Sequence, residues 1–207
     1  GRQAAVIALG TMDFGGKIVE GRAREFMDAY VEIGGNFIDT ARIYGDFASG
    51  VQGGSEQVIG RWMQDRHCRD KIVLGTKGGH PEPGGGPRLD RHSLEADLSM
   101  SLEALGASQI DLYWLHRDDP GRPVEDMLET LNRFLHDGRI AAFGASNWTA
   151  RRLAEAAACA KARGYVPFRA NQPQWSLARM EVVEDPTLVQ MDAALYGLHA
   201  ASGLPCV

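Results

Sequence analysis

Asn36-Phe-Ile-Asp-Thr-Ala-Arg-Ile-Tyr44 is a short apolar run that leads directly into polar side chains. The same arrangement recurs in Ile72-Val-Leu-Gly-Thr-Lys77 and in Ile110-Asp-Leu-Tyr-Trp-Leu-His116. Apolar runs of this length, rich in β-branched and aromatic residues, are typical of strands buried in a parallel sheet. Because the carboxyl ends of parallel strands meet at one edge of a sheet, we expect the polar residues that end these runs to lie close together.

Runs of this kind alternate along the chain with longer amphipathic stretches, which indicates repeated strand–helix units. The predicted strands are Val6–Leu9, Asn36–Asp39, Ile72–Thr76, Ile110–Leu115, Ile140–Ala145 and Phe168–Asn171, and Pro205–Val207 has the character of the opening of a seventh. The predicted helices are Gly21–Ile33, Ser55–Met63, Ser93–Leu105, Val124–His136, Thr149–Arg163 and Pro186–Ala201. In the first helix, spacing predicts a buried face made of Phe26, Ala29, Tyr30 and Ile33.

Two architectures fit such a pattern, a doubly wound sheet and a (β/α)8 barrel. A doubly wound sheet is expected to carry a GxGxxG turn, which the sequence lacks. Gly10–Lys17 matches a Walker loop only superficially, since Thr11 replaces the first glycine and Ile18 follows the lysine. Polar residues at the ends of at least five predicted strands favour the barrel, whose active site is built from its strand–helix loops.

A complete (β/α)8 barrel takes about 250 residues. A chain of 207 residues that is only beginning its seventh strand is therefore expected to form an incomplete barrel, a single domain over residues 1–207 with about six βα units. Unpaired sheet edges near Val6–Leu9 and Phe168–Asn171 predict marginal stability or association.

The composition argues against several classes of function. A formal net charge of −5, without a block of Lys and Arg, argues against binding to nucleic acid. The sequence has no apolar stretch of about 20 residues and no signal-peptide profile at its start, so we expect no membrane partner and a cytoplasmic location. Three cysteines without a CxxC motif fit a reducing compartment. No metal site is predicted, because His67 and Cys68 lack further ligands at suitable spacing.

The types of the polar residues suit carbonyl chemistry. A hydride that reaches a carbonyl carbon leaves negative charge on the oxygen, so the site must supply a proton or hydrogen bonds there. A tyrosine such as Tyr44 can supply the proton, because a neighbouring ammonium makes a phenol a better donor. Lys77 fits the role of that ammonium, and Asp39 can fix its position. His116, if neutral, can donate an N–H to the substrate oxygen.

Each of these residues also has a simpler interpretation. Asp39 could cap the turn after its strand, Tyr44 could be a half-buried loop aromatic, and Lys77 could be a solvated surface residue. His116, after a strongly apolar run, is the hardest of them to explain as core. Taken singly, the simpler interpretation is favoured for the first three, whereas their order and placement together favour a site.

Five segments resemble the ordered signatures of the aldo-keto reductase family: Gly34–Gly45, Thr76–Gly79, Leu115–Pro120, Gly144–Trp148 and Asn171–Gln172. The resemblance covers nearly the whole chain. It implies a (β/α)8 barrel that reduces a small-molecule aldehyde or ketone with NADPH, with NADH not excluded, and without a metal. The oligomeric state does not follow from it.

The resemblance also implies roles for individual residues. The implied roles are Tyr44 as the general acid, Asp39 and Lys77 as its tuning partners, His116 as the group that orients the substrate carbonyl, and Ser146, Asn147 and Gln172 as the residues that hold the nicotinamide carboxamide. Ser146 and Asn147 could also cap the helix that starts near Thr149, and Gln172 could instead bond to neighbouring backbone.

Other aromatic residues remain open to two interpretations. Trp148 and Trp175 either wall a substrate pocket or pack in the core. His80 either reaches the same mouth as Lys77 or is solvated, and the remaining histidines, His67, His92, His136 and His199, are expected on helices or on the surface.

Two rival functions fit part of the pattern. One is a nicotinamide-binding sensor or regulatory module that keeps the site but turns over negligibly. The other is a barrel aldolase or isomerase that uses Lys77 as a Schiff-base amine, which leaves Asp39 and Tyr44 without a necessary role.

Overall fold

The computed structural model describes residues 3–46, 53–82, 84–177 and 185–207. These residues form one parallel sheet of six strands, which lie in the order in which they occur along the chain. The strands are β1 (Leu9–Gly10), β2 (Phe37–Asp39), β3 (Val73–Gly78), β4 (Leu112–Leu115), β5 (Phe143–Ser146) and β6 (Asn171–Gln172). Asn171 forms a further parallel bridge with Cys206, at the position predicted for the opening of a seventh strand.

The sheet curls into part of a barrel. The side-chain amide of Gln172 on β6 donates to Oδ2 of Asp39 on β2 over 3.3 Å. In a flat sheet, strands four places apart would be separated by about 19 Å. The contact requires a sheet that bends back toward itself, which confirms the predicted (β/α)8 architecture with six strands and a bridge to a seventh.

Helices alternate with the strands. They are α1 (Glu20–Glu32), α2 (Gly54–Arg66), α3 (Arg91–Leu105), α4 (Val124–His136), α5 (Ala150–Arg163) and α6 (Ala193–Ser202), with a short 3-10 helix at Arg69–Lys71 before β3. Each of the predicted helices is present, and α4 has the predicted bounds. No helix among the described residues is long and apolar enough to cross a membrane.

Some predicted strand boundaries are wrong by a few residues. Val6 and Ile7 were expected in the first strand, but their exposed fractions are 104% and 75%, and β1 contains only Leu9 and Gly10. The chain before β1 is held differently, since Ala5 N donates to the side chain of Asn36 over 2.7 Å. The predicted strands at Ile140 and Phe168 also begin three residues later, at Phe143 and Asn171.

The buried face of α1 differs from the predicted one. Ala23 and Met27 are fully buried, whereas Phe26 and Ile33 have exposed fractions of 41% and 84%. Ala23 and Met27 are four residues apart and therefore lie on one face of the helix. Phe26 lies outside that face and stacks on Phe14, with the ring centroids 6.4 Å apart.

The predicted helix Pro186–Ala201 begins later than expected, at Ala193. Pro186 and Thr187 lie in a turn instead, in which Leu188 N donates to Asp185 O over 3.1 Å. Gln190 then forms a parallel bridge with Gln174, whose backbone N–H donates to Val189 O over 2.8 Å. Asp192 then caps the helix by accepting a backbone N–H with its side chain. Pairing with the segment after β6 therefore replaces the first turns of the predicted helix.

The N-caps of two helices also correct the prediction. The Asp90 side chain accepts a bond from Ser93 N over 3.0 Å, so α3 begins two residues before the predicted Ser93. Thr149 caps α5. The interpretation of Ser146 and Asn147 as the cap of this helix is therefore wrong.

Trp114 is the largest side chain of a small apolar cluster that also contains Phe37, Val73 and Ala170, separate from the larger core of helices and sheet. Glycine on the neighbouring strand makes room for the indole. A Cβ added at Gly144 would lie 2.5 Å from the Trp114 ring and 2.7 Å from the backbone oxygen of Ala170. Position 144 therefore has no space for any side chain.

We expect Gly144→Ala to lower the free energy of unfolding by about 1–3 kcal/mol or more, because the added methyl group overlaps a ring and a backbone atom. Gly21→Ala on α1 is the matched control, since nothing lies within 4 Å of the added Cβ. That variant should be neutral or up to about 1 kcal/mol more stable. Urea unfolding measures both, and equal stabilities of the two variants would contradict the packing described here.

Glu56 is a fully buried carboxyl on α2. Its Oε1 accepts a hydrogen bond from Thr76 Oγ1 of β3 over 2.6 Å. Burial raises the pKa of Glu56 to about 7, and the bond from Thr76 only partly opposes this. The folded protein therefore holds a proton on Glu56 up to near neutral pH, whereas the unfolded chain releases it near the ordinary value of 4.5.

This difference predicts how stability depends on pH. Between pH 4.5 and about 7 the folded state binds more protons at Glu56 than the unfolded state, so stability falls as the pH rises through this window, by about 3 kcal/mol in total. Glu56→Gln removes the titration and should be about 1–3 kcal/mol more stable than the wild type at pH 8. Urea unfolding should show this advantage shrinking toward pH 5, and a pH-independent difference would contradict the assignment.

Candidate active site

A pocket of about 490 Å³ lies at the carboxyl ends of the strands. The predicted site residues that line it are Tyr44, Lys77, His116, Ser146, Asn147 and Gln172. Asp39 adjoins the pocket through its bonds to Lys77 and Gln172. The structure thus brings together every residue of the site predicted from the sequence. Within the described residues, no group of His, Cys, Asp and Glu side chains is placed to hold a metal ion.

Lys77 on β3 is buried, with only 1% of its side chain exposed. Its Nζ donates to Asp39 Oδ2 over 2.5 Å and to the backbone oxygen of Thr40 over 2.8 Å. Asp39 pairs with Gly75 in the sheet register, and Gly75 and Lys77 are two residues apart, so Lys77 lies on the same face as its partner. The interpretation of Lys77 as a solvated surface residue is therefore wrong.

The ion pair fixes the charge on Lys77. Burial lowers the pKa of the amine, but the carboxylate of Asp39 and then the Tyr44 phenol raise it more, so that the pKa lies above its ordinary value. Lys77 is therefore an ammonium at neutral pH. Each buried charge depends on the other, because an ion left unpaired in such a place is strongly unfavourable.

Asp39 accepts hydrogen bonds from three side chains. Oδ2 accepts from Lys77 and from Gln172, and Oδ1 accepts from Trp114 Nε1 over 3.0 Å. Both carboxylate oxygens are used by residues of other strands, so Asp39 is not a simple turn cap. Its position is fixed by β3, β4 and β6 together.

Tyr44 follows β2 and lies beside the Lys77 ammonium and the His116 ring. The Nζ of Lys77 is 4.8 Å from the centroid of the phenol ring. The His116 ring meets the phenol edge-on, with the centroids 5.7 Å apart. An ammonium, a phenol and an imidazole therefore meet in one wall of the pocket.

His116 is held neutral by its surroundings. It lies just after β4, is only 5% exposed and donates its backbone N–H to Gly78 O over 2.9 Å. Burial, followed by the charges of Lys77 and Arg117, lowers its pKa well below the ordinary 6.5. A neutral imidazole carries one N–H, which can be donated to an oxygen atom in the pocket.

Ser146, Asn147 and Gln172 form the other predicted part of the site. Ser146 Oγ donates to Gln172 O over 2.9 Å. Asn147 has a φ of +59°, a conformation that asparagine tolerates better than most residues. Its Nδ2 donates to His116 O over 3.2 Å, and its Oδ1 accepts from Val189 N over 3.1 Å. Asn147 therefore ties the pocket wall to the segment that returns before α6.

Of the remaining aromatic candidates His80, Trp148 and Trp175, only His80 lines the pocket. The ring centroid of His80 is 4.8 Å from that of His116. Trp148 is fully buried against Phe168 and does not line the pocket, so it belongs to the core. Trp175 is 63% exposed and also lies outside the pocket lining.

The other four histidines lie on helices or on the surface, as predicted. His67, His92 and His136 are exposed, and each lies on a helix or at a helix end. His199 on α6 is partly buried, and its Nε2 lies 3.1 Å from the side-chain amide of Asn171. His199 therefore connects α6 to β6.

Comparison with known sequences identifies the family. A family model described as "Aldo/keto reductase family" matches residues 6–196, which is most of the chain. The chain belongs to the aldo/keto reductase family. The resemblance seen in the five sequence segments is thereby confirmed.

Curated relatives of this aldo/keto reductase carry oxidoreductase names. Norsolorinic acid reductase of Aspergillus flavus is 32% identical, in an alignment that covers 89% of this chain and 50% of the relative. The uncharacterized oxidoreductase YrpG of Bacillus subtilis is 33% identical, with 88% and 59% covered. The probable aryl-alcohol dehydrogenase AAD4 of Saccharomyces cerevisiae is 31% identical, with 82% and 53% covered. The chain spans about half the length of the curated relatives it matches.

Sequence reasoning missed three contributors to the site of this aldo/keto reductase. The position of Trp114 could have been predicted, because side chains alternate along β4 and place Trp114 on the same face as His116. The backbone oxygen of Thr40 and the backbone N–H of Val189 carry no side-chain signal. Only the folded chain reveals these two contacts.

Proposed function

We propose that this aldo/keto reductase reduces the carbonyl group of an aldehyde or ketone with NADPH, with Tyr44 as the general acid. The observation that carries the proposal is the buried Lys77 ammonium, which Asp39 holds at 2.5 Å while its Nζ lies 4.8 Å from the Tyr44 ring at the pocket wall. An ammonium in this position stabilises negative charge on the phenol oxygen as the proton leaves.

The residues of the chain would act on the substrate oxygen in a defined way. His116, being neutral, donates its N–H to the carbonyl oxygen and orients it. Tyr44 donates its hydroxyl proton to the same oxygen as negative charge develops there. Lys77 stabilises the resulting phenolate, and Asp39 keeps the ammonium in place.

A reduced nicotinamide supplies the hydride when it is bound. Ser146, Asn147 and Gln172 would hold its carboxamide, since hydroxyl and amide groups of this kind line the pocket beside Lys77, Tyr44 and His116. Gln172 fits such a role while its Nε2 contacts Asp39, because the side-chain oxygen of an amide remains a separate acceptor. We take NADPH as the proposed cofactor, and a comparison of KM values for NADPH and NADH tests the preference.

Aromatic carbonyl compounds are the first substrates to examine. Besides its charged and amide side chains, the pocket lining contains the aromatic rings of Tyr44, His80 and His116 and the aliphatic side chains of Ile43 and Leu188. Such a surface favours a flat apolar body with one polar group. The names of the relatives, norsolorinic acid reductase and probable aryl-alcohol dehydrogenase, are compatible with this choice.

The raised pKa of Lys77 works against the aldolase interpretation. A Schiff base requires a free amine, whereas Asp39 holds Lys77 as an ammonium. Borohydride trapping of an adduct on Lys77 would be needed to revive that function.

The purified protein should be tested by following NADPH absorbance with benzaldehyde and by titrating NADPH fluorescence without it. The proposal predicts aldehyde-dependent oxidation of NADPH together with saturable binding. Binding without turnover across a set of aldehydes and ketones would favour the sensor function instead. If the protein neither binds NADPH nor oxidises it, both the reductase function and the sensor function are overturned.

A further inference from the structure

Trp114 lies under the candidate active site and touches its charged pair. The side chain is fully buried, and its Nε1 donates to Asp39 Oδ1 over 3.0 Å. Lys77 binds the other carboxylate oxygen, Oδ2. The indole N–H and the ammonium therefore share one carboxylate.

The fold is built around this indole. Gly75 on β3 and Gly144 on β5 are the strand residues beside it, and Cβ atoms added there would lie 3.3 Å from Nε1 and 2.5 Å from the ring. In the register, Trp114 pairs with Lys77 on one side and with Gly144 on the other. Larger side chains at these glycines would push the indole N–H away from Asp39.

We propose that Trp114 is a positioning residue that acts through Asp39. Its indole N–H partly offsets the negative charge of the carboxylate by hydrogen bonding and so sets how strongly Asp39 stabilises the Lys77 ammonium. The inference deepens the proposed function and rests on it for the role of the Lys77 ammonium beside Tyr44. The charge balance between Asp39 and Lys77 can be measured whether or not the protein reduces a carbonyl compound.

The direction of the effect follows from charge. A hydrogen-bond donor on Oδ1 places a partial positive charge near the carboxylate and weakens its hold on a second cation. When the N–H is removed, the full carboxylate charge acts on Lys77, and the amine keeps its proton to higher pH. With the N–H present, more of the ammonium field remains available to Tyr44.

The test measures the reactivity of the Lys77 amine and needs no turnover. Only the free amine reacts with acetic anhydride, so the rate of acetylation at a fixed alkaline pH reports its protonation, with exposed Lys161 as the internal reference read in the same mass spectrum. In Trp114→Phe, acetylation of Lys77 relative to Lys161 is expected to fall about 3- to 10-fold, which corresponds to roughly half to one pKa unit. A merely structural role would loosen the packing and make Lys77 react faster.

A second replacement guards against misfolding. A β-(3-benzothienyl)alanine residue at position 114 keeps the shape of tryptophan but has sulfur in place of the N–H, and it should slow Lys77 acetylation as Trp114→Phe does. Trp148→Phe is the matched control, because Trp148 is also fully buried and donates its N–H to Arg117 O, away from Asp39. It should leave the ratio unchanged.

Unchanged or faster acetylation of Lys77 in the benzothienyl protein overturns the inference. Slower acetylation there supports it even if the wild-type protein reduces no carbonyl compound. In that case the proposed function fails and the role of Trp114 in setting the charge balance stands.

Discussion

Replacing Tyr44 with phenylalanine is expected to lower the rate of carbonyl reduction by about 10²- to 10⁴-fold, the usual contribution of a positioned proton donor. The substitution removes one hydroxyl group and keeps the ring that lies beside Lys77 and His116. Binding of NADPH should stay nearly intact, because the residues proposed to hold the carboxamide are Ser146, Asn147 and Gln172. Steady-state kinetics with benzaldehyde and a fluorescence titration with NADPH measure the two quantities.

Tyr196→Phe provides the control for this variant. Tyr196 lies on α6 and is 61% exposed, and it takes no part in the pocket lining. Its loss of a hydroxyl should leave the rate unchanged. If Tyr44→Phe reduced benzaldehyde at the wild-type rate, the proton would have another source and the role of Tyr44 would be lost.

The second large effect concerns stability. Lys77→Met is expected to lower the free energy of unfolding by about 3–5 kcal/mol, because it leaves the Asp39 carboxylate buried without its cation. The double variant Asp39→Asn, Lys77→Met removes both charges and should be more stable than the single variant. Urea unfolding of the wild type, both single variants and the double variant gives the coupling energy, which we expect to exceed about 1 kcal/mol.

The stability of the wild-type protein should also depend on pH through the ion pair of Asp39 and Lys77. The folded pKa of Lys77 is raised, so its stabilising effect is present below the unfolded value near 10.5 and is lost as the pH rises through the folded value. Lys161→Met, on the exposed end of α5, is the control and should change stability by less than about 0.5 kcal/mol. A Lys77→Met protein as stable as Lys161→Met would contradict the buried ion pair.

Much of the fold could be predicted because hydrophobic periodicity and strand-end polarity are local signals. The predicted strand at 72–76 and the helix Val124–His136 were found from their own residues. Predictions failed where a partner from elsewhere in the chain decides the structure. Residues 189–191 pair with Gln174 and are therefore not helical. The buried face of α1 is set by a partner that spacing alone did not reveal, because α1 packs against α2.

The candidate site shows the same division. The residue types of Asp39, Tyr44, Lys77 and His116 predicted a shared chemistry, and the parallel sheet brings their strand ends together. The sequence alone did not decide between a functional and a structural role for each residue, because that choice depends on which side chains contact one another. Burial of Lys77 against Asp39 separates a charged partner from a surface lysine, and the bond from Trp114 to Asp39 connects two strands that are not neighbours.

Transfer of hydride from the cofactor to the carbonyl carbon can be followed with a deuterium label. The purified protein is incubated with benzaldehyde and NADPH that carries deuterium at both hydrogen positions of nicotinamide C4, so that the hydride transferred from either face is labelled. The benzyl alcohol formed is then examined by mass spectrometry. We expect the wild type to form alcohol with one deuterium on its carbinol carbon, and we expect this product to be almost absent with Tyr44→Phe. Saturable binding of the labelled cofactor without deuterated alcohol from any aldehyde or ketone tested would contradict the proposed reduction.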